Sequence, residues 1–162
     1  MVLKLRGKIP FGVPALTSMR HGTRHVIERG AFGPNGPMTF PGESASEGVY
    51  LLLGYDYGNV LASTAARSLA IVVTDEALEW ATSPLAKTAT EEQARRLLRA
   101  GLLGGVVPGY VPVKTADDAG TEVVESGMLC ELNIVGRPPG DGSTLQSFTG
   151  RPGGAFQGLL GR

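Results

Sequence analysis

The chain has 162 residues, fifteen basic against fifteen acidic, with 24 glycines, 11 prolines and one cysteine. That length suits one domain around one core, and the cancelled charge excludes the basic footprint that captures nucleic acid or anionic membrane. A lone Cys130 excludes an internal disulfide and reads as a buried structural thiol within a strand.

No apolar run reaches the roughly 18 to 20 residues of a membrane span, and MVLKLRGKIPFG has too short an apolar core for a signal peptide. A soluble protein with no membrane partner is therefore expected. Val2–Ile9 alternates as a first strand closed by Pro10. Phe11–Arg24 is loop-like, His25–Glu28 is a short strand, and the proline- and glycine-rich stretch Gly33–Gly48 predicts a long loop.

Val49–Leu53 is a continuous apolar run, expected to be a strand buried on both faces. Asn59–Thr64, Ser68–Thr74 and Ala77–Ser83 follow as further strands, of the kind that build a meander or part of a small barrel. Thr90-Glu91-Glu92-Gln93 is a capping-box pattern opening a helix near 90–100. Ala94, Leu97 and Leu98 give that helix an apolar face, arginines crowd its last turns as a solvated face, and Gly101 is placed to end it.

Leu102–Val113 has glycine breaks and two prolines, which predicts an edge strand or one broken by a bulge. Asp117–Gly120 is a turn, after which Thr121–Glu125 and Met128–Val135 are expected to pair as separate strands. Arg137-Pro-Pro-Gly closes a domain of residues 1–139. The remainder, 140–162, holds seven glycines and scattered apolar residues, too little for a core, so an extended tail, disordered unless bound, is expected. The fold class is mostly β with few helices, α+β.

Chemistry is sparse. His21 and His25 have Gly22 between them and no acidic or thiol ligand at zinc spacing, so neither a metal nor a cofactor is implied. The glycines of Gly101–Gly105 follow a helix and enter a strand, the reverse of a phosphate cradle. The two histidines are the only conventional bases for serine chemistry, and no serine lies on a glycine-flanked strained turn.

Taken in order, VIERGAF (26–32), VYLLLGYDYGNVLAST (49–64), EEQARRLLRAGLLGGVVPGY (91–110) and MLCELNIVGRPP (128–139) resemble the tailed-phage prohead proteases. These are capsid-maturation serine proteases with a fold similar to that of herpesvirus assemblins. The resemblance spans residues 1–139 and implies an assemblin-like β-barrel domain. In that family the leucine-rich strand ends in a His-Asp pair, whose histidine is the base; here Tyr55-Asp56 stands there. The nucleophilic serine falls at Val107, and the acidic residue of the late strand is kept as Glu131.

Valine has no atom that attacks a carbonyl, and a phenol with a pKa near 10 is a poor base at neutral pH. Shifting the alignment does not help, because no serine lies between Ser83 and Ser126 and no histidine after His25. The resemblance thus implies a catalytically degenerate member, not an enzyme. A structural capsid component follows: a minor capsid, cement or decoration protein of the virion, made in the host cytoplasm and bound to the major capsid protein, with self-association left open. The alternatives are a hydrolase using His21 or His25 with a distant serine, and a transient assembly factor. The phage assignment itself rests on the resemblance.

Overall fold

Alternation at the N-terminus becomes a strand, β1 (Val2–Pro10), in a computed structural model that describes residues 1–16, 24–39, 48–136 and 142–150. Leu3, Leu5 and Ile9 are buried on one face while Lys4, Arg6 and Lys8 take the other. Gly7 stands in the buried series, and a Cβ there would collide with the Thr144 carbonyl and the Trp80 ring. Its hydrogen is what lets the indole lie against the strand.

β1 belongs to an antiparallel sheet of order β11 (Thr144–Gly150), β1, β8 (Ala77–Thr82), β7 (Leu69–Val73) and β4 (Gly36–Pro37). The second sheet runs β2 (Ala15–Leu16), β3 (Arg24–Ile27), β10 (Thr121–Val135), β5 (Tyr50–Leu53) and β6 (Val60–Ser63). β3 and β5 both lie parallel to β10, one toward each end, and β9 (Gly105–Asp118) pairs antiparallel with β10. A single core cluster draws Leu5, Ile71 and Trp80 from the first sheet and Leu51, Leu132 and Ile134 from the second.

Among the described residues strand makes up 55% and there is one short helix, α1 (Ala89–Arg99). The class is mostly β, α+β, as expected. No ring of paired strands closes among the described residues, so the barrel that the resemblance implied has no support in the pairing.

Several sequence expectations are corrected. First, the helix cap is Thr88, whose Oγ1 accepts the Glu91 N–H at 3.1 Å. Thr88-x-x-Glu91 and Thr90-x-x-Gln93 both satisfy the capping pattern, but the Thr90 hydroxyl turns to Asn59 Oδ1, at 3.4 Å. That bond ties the helix start to the turn between β5 and β6. At the other end Gly101 does end the helix, with its N–H on the Leu98 carbonyl and that of Leu102 on Leu97. The arginines are not all a solvated face either: Arg95 pairs with the buried Glu91 and donates to the Met1 carbonyl.

Second, residues 121–135 are one strand. Glu125-Ser126-Gly127 reads as a break, yet it is a pair of register shifts within β10, where the Gly127 N–H donates to the Ala31 carbonyl. Third, pairing continues past the boundary at 139. Thr144–Gly150 is extended, and its partner is the chain's own β1 over seven residue pairs. Leu145 packs against the core and Arg6 lies over the Phe148 ring, 4.7 Å from its centroid. Few apolar residues suffice because the free edge of β1 supplies the backbone partners.

Candidate functional site at the end of β5

Register brings the candidate residues into two adjacent cross-strand rows. Tyr50, Glu131 and Gly109 form one, and Leu52, Asn133 and Val107 the next. Side chains of both rows point away from the face that carries Leu51, Leu132, Ile134 and Val106 into the core. β10 therefore has an apolar face and, two residues apart on the other, a carboxylate and an amide.

Val107 is buried at 4% exposure. Its carbonyl accepts from Asn133 Nδ2 at 3.3 Å, and the same amide donates to Glu131 Oε1 at 3.1 Å. Two acceptors fix the orientation of that amide, and they leave Asn133 Oδ1 buried with no partner among the described residues. Glu131 also needs Gly109 beside it, since its side chain fills the space that a Cβ at 109 would take.

Beyond Leu53 the chain makes a tight turn through Gly54 and Tyr55, both left-handed at φ 72 and 64. Asp56 organises the rest of that turn: its carboxylate accepts from the Gly58 N–H at 2.7 Å and from Asn59 Nδ2 at 3.0 Å. This is an aspartate spent on a turn. Tyr55 stands 42% exposed with its phenol raised by burial and by the Glu131 charge. Such a shift leaves still less phenolate to act as a base near neutral pH.

Tyr57 swings back toward the sheet. The nearby Glu131 carboxylate, as acceptor and as charge, together with burial pushes its phenol up to about 12. Its ring meets Tyr50 at 5.9 Å between centroids and 68° between planes. The structure thus assembles Tyr50, Tyr55, Tyr57, Glu131, Asn133 and Gly109. Of these the sequence singles out Tyr55 and Glu131, and the second tyrosine of Tyr-Asp-Tyr is the unused signal.

His25 is buried, and its Nδ1 lies 2.9 Å from the Tyr110 hydroxyl. Burial, then the charge of Glu122, pushes that phenol to about 12. His21 lies outside the described residues. Cys130 is half-buried rather than fully so, its Sγ 3.4 Å from the Met128 carbonyl, and burial raises the thiol. A separate crevice of about 420 Å³ opens over Arg6, Lys8, Glu79, Thr144 and Gln146 on the other sheet, where Arg6 Nε already donates to Gln146.

Among the described residues no group of three metal-ligating side chains gathers, and no helix is long and apolar enough to cross a membrane. Comparison with protein-family models, with curated proteins and with solved structures finds no match to this chain.

Proposed function

We propose that the chain is a structural component of a phage capsid, built on a prohead-protease-like fold without the proteolysis and binding the major capsid protein. One observation carries the reading. At the two positions where the resemblance expects a nucleophile and a base stand a buried valine and a tyrosine whose phenol is raised further. Loss of both groups removes orders of magnitude of rate.

The surroundings support it. Asp56 is consumed by its turn, Glu131 accepts from Asn133, and His25 is buried against Tyr110, which argues against the hydrolase alternative. The exposed half of β9 offers a surface that a binding protein needs and an enzyme does not. The inference from fold to role is one of resemblance.

The test is the intact mass and copy number of this chain in purified mature particles, relative to the major capsid protein. Fixed stoichiometry with an intact chain is expected. Absence from particles, or recovery only as fragments, overturns the proposal in favour of a transient factor or an active protease.

A further inference from the structure

Glu131 makes no ion pair among the described residues, although it is partly exposed. It accepts from the amide of Asn133 and lies directly across from Tyr50 on β5, which leaves carboxylate lone pairs open. Two tyrosine rings stand nearly perpendicular beside it, and Tyr57 is 59% exposed. Aromatic faces attract cations through their quadrupole, and a carboxylate at the base of an aromatic corner adds charge to that attraction.

We propose that Tyr50, Tyr57 and Glu131 form a receptor for one arginine side chain presented by a partner protein. The guanidinium would lie over the Tyr57 ring with its N–H edge toward Glu131. Arginine fits better than lysine because a planar, weakly hydrated cation stacks on a ring while donating from its edge. Charge complementarity selects the occupant: the corner supplies π faces, acceptors and an uncompensated negative charge. That Glu131 helps raise the phenol of Tyr57 and, after burial, that of Tyr55 agrees, since both feel its field.

The proposal deepens the capsid reading by naming what this face takes from its partner, yet it is tested apart from it. The full chain, labelled with ¹⁵N, is titrated with Nα-acetyl-arginine amide and, in parallel, with the neutral isostere Nα-acetyl-citrulline amide. Saturable shifts at Tyr50, Gly54–Gly58 and Glu131 are expected with arginine, and binding about tenfold weaker or weaker still with citrulline. Glu131→Gln should abolish the preference.

Tyr57→Leu, at an exposed position that leaves the fold intact, should weaken arginine binding several-fold. Equal responses to the two probes, no response to arginine, or an unchanged preference in Glu131→Gln would overturn the receptor. A chain found at fixed copy number in particles but indifferent to arginine sinks this inference and leaves the capsid role standing; arginine binding by a chain absent from particles does the reverse.

Discussion

The two halves of β9 share one partner strand and differ in almost everything else. Gly105–Tyr110 is buried throughout, while Val111–Asp118 is exposed throughout, although both are paired with β10. Backbone pairing is thus not what separates them. The inner half flanks β10 on the edge opposite β5 and sends Val106 and Tyr110 into the core; the outer half runs on to a turn at Ala119 and Gly120 with its face uncovered. Burial of side chains, at about 25 cal/mol per Å² of apolar surface, is where the stabilising energy of such a ladder resides. The inner half holds the fold and the polar site, and the outer half is left for contact.

The largest effect should come from removing an inner anchor. Leu132 on β10, opposite Pro108, is fully buried, so Leu132→Ala should cost about 2–5 kcal/mol, read from urea unfolding. A cost under about 1 kcal/mol would erase the distinction between the halves.

Alkali should act next, and again on the inner end. Tyr57 and Tyr110 have phenols raised from 10.0 to about 12. A raised folded-state value means the native protein keeps protons that the unfolded chain has lost, so their contribution is full below pH 10 and disappears as pH rises through about 12. Tyrosinate absorbance should show both phenols still protonated at a pH where an ordinary tyrosine has ionised, and Tyr57→Phe should remove one late-titrating group. Gly109→Ala should cost about 1–3 kcal/mol and leave the chain folded, because the added Cβ runs into the Glu131 side chain from its Cγ outward rather than into backbone. It should nonetheless displace Glu131, bring the Tyr57 phenol back toward 10 and reduce arginine binding.

Local chemistry explains which of these features are legible in the sequence. The alternation of Val2–Pro10, the apolar run before Gly54 and the glycine stop at 101 are each specified within a few residues, and each is realised. β10 reads as two strands because Gly127 looks like a turn, and only the remote Ala31 carbonyl makes it a bulge. β11 escapes a local reading for the same physical reason: a strand with few core contacts depends on a partner edge more than a hundred residues away. At the site, Tyr55 and Glu131 stand out by resemblance. Tyr50 and Gly109 do not, since their roles arise from a cross-strand row that no local spacing encodes.

The smallest expected effect is the sharpest test of the outer half. Val113 is 74% exposed and is the residue β9 inserts where the register shifts between Lys114 and Pro112. A buried β-branched residue at a bulge packs, whereas an exposed one mainly offers apolar surface to whatever approaches. Val113→Ser should therefore change stability by no more than about 0.5 kcal/mol in the dilute chain. The decisive reading is concentration dependence. If the cost rises with protein concentration, the outer half is already covered by a second copy; if it is flat, Val113, Val111 and Met128 are open to a different partner, and the same substitution should instead lower occupancy on capsid particles.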